Sequence, residues 1–147
     1  MARESVRKLS AEDYDRLLAL WKRADLHSLK PQGRDSREAI ARQLQTGVQT
    51  IMGLEVEGQL AGAVVATHDS RKGWINRLAV DPAFRHRGYG LRLVEEAEKE
   101  LRTQGMQVIA TLVESDNPAS LALFHKANYV EIDPGMHYLS KRDSSTV

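Results

Sequence analysis

Asp81-Pro82-Ala83-Phe84-Arg85-His86-Arg87-Gly88-Tyr89-Gly90 is the most informative stretch of this 147-residue chain. An apolar run precedes it and a helical pattern follows it, so it joins a strand to a helix. A helix N-terminus presents unpaired N–H groups and a partial positive charge, which together bind phosphate. Glycine lacks the Cβ atom that keeps a phosphate from the backbone, and Arg85 and Arg87 add positive charge. The stretch therefore predicts a cradle for a diphosphate.

Two common nucleotide motifs do not account for this stretch. Leu93 stands where the dinucleotide fingerprint needs its third glycine, and the Gly-Lys-Ser/Thr of a P-loop is absent. A surface turn with solvated arginines is the plainer alternative, because short glycine motifs often match by chance. On the residues alone, both interpretations stay open.

The pattern of apolar residues predicts a single mixed α/β domain over residues 1–147, with a flexible polar tail from residue 141. Alternation predicts strands, and spacing by three and four predicts helices. The expected strands cover residues 5–9, 50–55, 59–68, 74–80, 106–114, 129–132 and 136–140. The expected helices begin near residues 10, 36, 89 and 118.

Local signals at the helix ends support these boundaries. Ser10 with Asp13 is a variant of the capping box, and Asp35 or Ser36 can cap the second helix. Asn117 precedes a proline at the first helical position, where the missing N–H costs nothing. The strand–helix–strand order after residue 74 predicts a right-handed crossover and a parallel strand pair.

Composition narrows the classes of function. Apolar residues make up 41% and charged residues 28% of the chain, as in ordinary globular proteins. A formal net charge of +1 argues against a nucleic-acid partner, which needs a strong positive field. Cysteine is absent, so thiolate metal sites are excluded, and the histidines lack metal-ligand spacing. Without a leader-like or membrane-spanning apolar run, we expect a cytoplasmic protein with no membrane partner.

The segment Arg85-His86-Arg87-Gly88-Tyr89-Gly90 resembles Arg/Gln-x-x-Gly-x-Gly/Ala, the acetyl-CoA signature of the GNAT superfamily of N-acetyltransferases. Leu78-Ala79-Val80-Asp81-Pro82 precedes it, as the fourth strand of that family usually reads. Downstream lie residues close to the family's Asn-x-x-Ala-x-x-Leu-Tyr helix and following Gly-Phe, namely Asn117, Ser120, Leu123, Phe124 and Tyr129. The strong motifs cover residues 74–129, and the first half of the chain matches only in pattern.

The resemblance implies a mixed, mostly antiparallel sheet of six to seven strands with about four helices, splayed between the fourth and fifth strands. It implies acetyl-CoA as cosubstrate and no metal. The implied acceptor is a primary amine on a small molecule, an amino acid or a peptide N-terminus, attacked without a covalent enzyme intermediate. Many members of the family are homodimers. A non-catalytic acyl-CoA-binding or regulatory module with the same fold is the alternative.

The resemblance also assigns positions to the cofactor. Amides of residues 87–90 would hold the diphosphate, the strand backbone at residues 78–80 would pair with the pantetheine arm, and the Leu78 amide would bind the thioester oxygen. Asn117 would bind the pantetheine as well as cap its helix. The expected cofactor-binding residues are Leu78, Ala79, Val80, Arg85, His86, Arg87, Gly88, Tyr89, Gly90, Asn117 and Phe124.

Phe124 departs from the family pattern. Many GNAT enzymes have at this position a tyrosine that protonates the leaving thiolate, and a phenyl ring cannot donate a proton. Three other residues are candidates for that acid: Tyr129, Tyr138 and His125. We also expect Phe124 to be a core residue that packs with Leu121.

The expected catalytic residues are Leu78, Glu114 and Asn76. The predicted strand over residues 74–80 contains no carboxylate, so Glu114 is the best candidate base, and Asn76 can orient a water that relays the proton. A weak base favours an α-amine, which is partly neutral at pH 7, over a lysine-type amine. Of four further side chains, we expect Trp21 to be mainly core, Arg34 to be solvated, and Arg77 and Trp74 to reach the cleft.

Overall fold

A computed structural model describes residues 3–132 and 135–146. The strands are β1 (Glu4–Lys8), β2 (Gln49–Val56), β3 (Gln59–His68), β4 (Gly73–Val80) and β5 (Ile109–Thr111). The α-helices are α1 (Tyr14–Arg23), α2 (Arg37–Gln45), α3 (Tyr89–Thr103) and α4 (Pro118–Lys126), with short 3₁₀ turns at Ala11–Asp13 and Pro82–Phe84. Among the described residues, the helices are too short or too polar to cross a bilayer.

The strands form one sheet in the order β1-β2-β3-β4-β5. Neighbouring strands are antiparallel except β4 and β5, which are parallel and are connected through α3. The β4–β5 ladder runs only from Gly73↔Ile109 to Ile75↔Thr111. Because β4 continues to Val80 without a partner in β5, the two strands separate, which confirms the expected mostly antiparallel sheet and its splay.

The sheet has five strands within the described residues, fewer than the six to seven expected. The closing strands predicted over residues 129–132 and 136–140 are wrong, and residues 133 and 134 lie outside the described chain. The Tyr129 N–H donates instead to the Phe124 carbonyl at 2.9 Å, which ends α4. Val130 and Leu139 are 88% and 89% exposed. Alternation alone does not make a strand, which also needs a hydrogen-bonded neighbour.

The strand predicted over residues 106–114 is reduced to Ile109–Thr111. The first residue of the predicted strand instead completes the end of α3, because the Met106 N–H donates to the Leu101 carbonyl at 3.0 Å. Gly105 adopts φ +95° there, the left-handed conformation typical of a residue that ends a helix. At the other end, the separation from β4 removes the partner that residues beyond Thr111 would need.

Helices cover both faces of the sheet. The stripe of α3 predicted from its spacing is fully buried against one face, together with Phe124 of α4; it consists of Leu93, Val94, Ala97 and Leu101. On the other face, Leu17, Leu20 and Trp21 of α1 pack with Ile40 of α2 against β2 and β3. The sheet is therefore the middle layer, and the gap between β4 and β5 opens between two packed helical layers.

Asp13 connects β1 to the first helix. Its carboxylate accepts the Ser10 N–H at 2.9 Å, completing the predicted capping box, and it forms an ion pair with Arg7 at 2.7 Å. The hydrogen bond from Arg7, with support from the Ser10 N–H, lowers the pKa of Asp13 from 3.8 to about 2 against the opposing effect of burial. Charged Asp13 therefore stabilises the fold.

We predict that Asp13→Asn lowers the free energy of unfolding at pH 7 by about 1–2 kcal/mol. Because the folded-state pKa is depressed, this contribution is present above the unfolded pKa and is lost as pH falls towards 2. Urea unfolding between pH 2 and 7 measures it. Glu12→Gln, an exposed change in the same turn, is the control. If the difference in unfolding free energy between wild type and Asp13→Asn stays constant over this pH range, charged Asp13 does not stabilise the fold.

Candidate functional site

The loop between β4 and α3 begins with an aspartate cap. The Asp81 carboxylate accepts the Ala83 N–H at 2.9 Å and pairs with Arg23 of α1 at 2.7 Å. These contacts, the Ala83 N–H first, hold the pKa of Asp81 below its usual range. His86 and Gly88 then adopt left-handed conformations, with φ of +64° and +80°. Two left-handed residues so close together curl the backbone before α3 begins.

The curled backbone leaves main-chain donors at the start of α3. Within the described residues, the N–H groups of Arg87, Gly88, Tyr89 and Gly90 donate to no carbonyl, and the first helical bond runs from Arg92 to Gly88. The side chains of Arg85 and Arg87 are exposed and lie in no ion pair of the described chain. Arg87 stacks 5.3 Å from the Phe84 ring centroid. The loop thus combines free N–H donors, a helix N-terminus and positive charge, as a phosphate site requires.

The two glycines of this loop have different reasons to be glycine. A Cβ at Gly88 would contact nothing within 4 Å, so space does not require glycine there. Glycine is favoured by the left-handed backbone conformation, with φ of +80°. A Cβ at Gly90 would lie 3.2 Å from Leu123 Cδ2, so the demand there is the close approach of α3 to α4. From the sequence, we expect both glycines to admit a ligand. The structure shows that each also has a role in the fold.

A cleft of about 1070 Å³ opens where β4 and β5 separate. At one end it reaches the β4–α3 loop, and at the other it reaches the loop between α1 and α2. Most of the predicted site residues line it: Asn76, Leu78, Ala79, Val80, Arg85, His86, Gly90, Glu114, Asn117 and Phe124. Arg87, Gly88 and Tyr89 do not line it, and the Tyr89 side chain is buried with its hydroxyl bonded to Glu4 at 3.0 Å.

A bulge in β4 lies beside this cleft. The register passes from Val65↔Asn76 to Ala63↔Ala79, so Arg77 and Leu78 together oppose one residue of β3. Arg77 has φ +50°, which is strained for a residue with a side chain. A bulge leaves its extra residue without a ladder partner. Main-chain donors of Arg77 and Leu78 thus fall outside the regular β3 ladder, next to the gap.

The polar groups at the point of separation are mainly uncharged. The Asn76 side-chain amide donates to Thr67 Oγ1 at 3.4 Å, and the Thr111 hydroxyl donates to the Ile75 carbonyl at 2.9 Å. Glu114 lines the cleft from the segment after β5 and is exposed to water. Of these groups, only Glu114 can take up a proton as a carboxylate.

Phe124 is a core residue that also lines the cleft. It packs edge-on against the Tyr129 ring at 5.1 Å; the expected partner, Leu121, is 38% exposed. The Tyr129 hydroxyl donates to Glu98 at 2.8 Å, and burial together with this bond raises its pKa. Tyr129 is not among the cleft-lining residues, and neither are Tyr138 and His125. A hydroxyl that does line the cleft, and that sequence reasoning did not single out, is Ser120.

The other end of the cleft contains a cluster of contacting side chains. Asp35 is only 2% exposed, and its carboxylate pairs with Arg77 from the bulge and accepts the Lys30 N–H at 2.7 Å. Arg77 lies 5.2 Å from the Trp21 ring centroid. Arg34 and Arg77 both donate to the Ser28 carbonyl, at 3.1 and 3.5 Å. We call Trp21, Ser28, Arg34, Asp35 and Arg77 the loop cluster.

The loop cluster corrects one sequence expectation and decides between two alternatives. Arg34 was expected on the solvated surface but is half-buried and lines the cleft. The cap of α2 is Ser36, whose hydroxyl accepts the Ala39 N–H at 3.1 Å, which leaves Asp35 for Arg77. The local sequence marked Asp35 only as a possible cap, and no local signal connects it to a residue 42 positions away. Trp21 is core and lines the cleft, as expected. Arg77 lines the cleft, whereas Trp74 does not, so the expectation for Trp74 is wrong.

No group of three or more metal-ligating side chains comes together within the described residues. Backbone groups, neutral polar side chains, guanidinium groups and carboxylates line the cleft.

Comparisons with known proteins agree with this fold. The model of the family described as "Acetyltransferase (GNAT) family" matches residues 6–129. An acetyltransferase of Pectobacterium atrosepticum is 31% identical over 128 residues, which cover 87% of this chain and 89% of that protein. Among solved structures, aminoglycoside N-acetyltransferase AAC(6')-Iy in complex with CoA has a TM-score of 0.81 at 16% identity, covering 97% of each chain. The PaiA N-acetyltransferase of Thermoplasma acidophilum, in complex with coenzyme A, has a TM-score of 0.73 at 20% identity, covering 85% and 88%.

We predict that Gly88→Ala lowers the free energy of unfolding by about 1–2 kcal/mol, because a Cβ penalises the left-handed conformation. Gly88→Asn should cost less, because asparagine tolerates this conformation. Thermal and urea unfolding of the three proteins measure the order glycine, asparagine, alanine. Equal stability of Gly88→Ala and wild type would show that the loop does not need φ +80° at this position.

Proposed function

The chain belongs to the GNAT family of acetyltransferases, and we propose that it transfers an acetyl group from acetyl-CoA to a primary amine by direct attack. One observation supports this proposal above the others. Unpaired amides and positive charge at residues 85–90 stand at one end of a cleft that leads along β4 into the gap between β4 and β5.

The chemical groups of acetyl-CoA follow one another in the same order as the binding groups along the cleft. In the proposal, the amides of residues 87–90 bind the diphosphate, and the backbone of residues 78–80 pairs with the pantetheine as an added strand would. Asn117 uses its side-chain oxygen to cap α4 at Ser120 N, 3.1 Å away, and its amide nitrogen remains to bind the pantetheine. Two structures with this fold contain coenzyme A, which supports the same choice of ligand here.

The bulge supplies the polarising group in this proposal. The thioester lies at Leu78, whose N–H donates to its oxygen, and a donor aimed at a developing oxyanion contributes about 3–4 kcal/mol in known cases. The neutral amine attacks the carbonyl carbon, the carbon–sulfur bond breaks, and CoA leaves as a thiolate. The proton lost by the amine passes to Glu114, through a water oriented by Asn76. Phe124 supplies no proton, so the thiolate, with a thiol pKa of about 8.5, is released to solvent water.

An amine acceptor is the choice that fits the cleft and the family. The structural neighbour with an aminoglycoside acceptor in its name is an N-acetyltransferase, and it has the same fold. The base proposed here is weak and exposed, which favours an amine that is already partly neutral at pH 7, such as an α-amine.

A non-catalytic acyl-CoA-binding module is the second candidate. Two observations favour it: Phe124 cannot donate a proton, and β4 carries no carboxylate. Both candidates predict binding of coenzyme A, and only the enzyme predicts release of the free thiol in the presence of an amine.

Calorimetry with two ligands tests the diphosphate site. We expect coenzyme A to bind and pantetheine, which lacks the diphosphate, to bind at least about tenfold more weakly, because charge-assisted hydrogen bonds are worth about 1.5–3 kcal/mol. Equal affinity for both ligands would contradict the assignment of residues 85–90. A screen of amines with acetyl-CoA, followed by thiol release, then separates the enzyme from the binding module.

We predict that Glu114→Gln lowers kcat about 100-fold, a typical contribution of a general base. The pH–rate profile should be lowered while its fall at low pH remains, because the amine acceptor itself becomes protonated there. Asp116→Asn is the matched control, because it removes a carboxylate from the same exposed segment of the cleft wall. A profile unchanged by Glu114→Gln would remove Glu114 from the mechanism and leave acetyl transfer itself untouched.

A further inference from the structure

We propose that the loop cluster selects acceptors that carry a carboxylate next to their amine, and that Arg34 binds this carboxylate. The acceptor class is then the small amino acids. This inference rests on the proposed function, since it assigns the acceptor for the same cleft.

The position of the loop cluster along β4 makes it the acceptor end. Residues 80 to 78 lead from the β4–α3 loop towards the bulge, and Arg77 is the next residue beyond the proposed thioester site. Arg77 contacts Trp21, Asp35 and Ser28 of the loop cluster. A molecule that approaches the thioester from the side opposite the diphosphate therefore meets this cluster.

The charges of the cluster do not cancel. Asp35 and Arg77 neutralise each other in a buried ion pair. Arg34 donates to the Ser28 carbonyl, and no carboxylate of the described chain lies within ion-pair distance of it. A guanidinium has five N–H donors, and a half-buried one gains most from a carboxylate, which it binds through two parallel hydrogen bonds.

A second observation concerns a buried polar group of the same cluster that lacks an acceptor. Trp21 is 1% exposed and lines the cleft, yet its indole Nε1–H has no hydrogen-bond partner within the described residues. A buried indole N–H normally has an acceptor. Arg77 covers the Trp21 ring and shares the Ser28 carbonyl with Arg34. The indole N–H that lacks an acceptor and the guanidinium that lacks a carboxylate partner therefore belong to one connected cluster.

The remaining charged groups of this part of the cleft are compatible with an amino acid. Glu114 lies on the β5 side of the gap, where the amine must reach the thioester, and it complements an ammonium group. Asp25 and His27 also line the cleft near the cluster, but both are exposed, so solvent and salt screen their charges. The cleft thus presents a carboxylate on the β5 side and, at the loop cluster, a guanidinium without a carboxylate partner in the described chain.

The test uses matched pairs of acceptors, each an amino acid and its carboxamide, with wild type, Arg34→Gln and Arg34→Lys. We expect wild type to prefer the amino acid when kcat/KM is calculated for the neutral amine, since the amine of an amino acid is more basic than that of its carboxamide. Arg34→Gln should lower kcat/KM for amino acids about 10- to 100-fold, mainly through KM, because a hydrogen bond to a charged group is worth about that factor. Its kcat/KM for carboxamides should stay within about twofold of wild type. Arg34→Lys should keep part of the preference that Arg34→Gln loses. Lysine retains the positive charge but cannot form two parallel hydrogen bonds to a carboxylate as a guanidinium does.

Arg42→Gln is the control, since it removes an exposed arginine from the last turn of α2, outside the cleft. An equal loss for amino acids and carboxamides in Arg34→Gln would show that Arg34 only holds the loop through Ser28, and would overturn the proposal. Wild type that prefers carboxamides, or an Arg34→Gln variant that keeps the full preference for amino acids, would also overturn it.

Two measurements separate this proposal from the proposed function. Coenzyme A affinity, measured by calorimetry, should be the same in wild type and Arg34→Gln, and its absence in wild type would refute the proposed function itself. If no acceptor is turned over, an N-acetyl amino acid and its carboxamide are titrated onto the protein–CoA complex. Tighter binding of the carboxylate form that depends on Arg34 supports the proposal, and equal binding of the two forms overturns it.

Discussion

The β4–β5 ladder ends at Ile75↔Thr111, and the other features of the site depend on this limit. Beyond it, the two parallel strands diverge while the helices on both faces remain packed against the sheet. Neither strand can close the gap, because β4 is held by β3 on its other side and β5 has only three paired residues. The result is a slot with a backbone wall, which suits a ligand that binds as an extended chain.

The bulge in β4 changes the backbone geometry of this wall. It places two residues of β4 opposite one of β3 and requires φ +50° at Arg77. Strain of this kind persists where surrounding contacts hold it. Here Asp35 pairs with the Arg77 guanidinium, and the Trp21 ring lies beneath it. The same contacts that hold the bulge also tie the α1–α2 loop to the end of the cleft.

The core and the cleft share residues, which limits how the chemistry can vary. Phe124 belongs to the core on the α3 side and to the cleft wall, and Tyr129 packs against it while bonding to Glu98. The Tyr129 hydroxyl is thus engaged away from the cleft. In the proposed mechanism, proton transfer is left to the solvent and to the polar groups at the gap, and catalysis depends on positioning and on the Leu78 N–H more than on a dedicated acid.

The sequence by itself determined the features that local physics dictates. These are the capping box at Ser10, the Asn117 cap and the buried stripe of α3, and with them the family resemblance and most of the residues that line the cleft. Only the tertiary structure decided the pairings between distant residues: Asp35 with Arg77, Tyr129 with Glu98, and Arg34 facing the cleft. It also left residues 129–132 and 136–140 outside the sheet. A cap or a turn is specified by adjacent residues. An ion pair or a strand partner depends instead on how distant elements pack, which no single segment specifies.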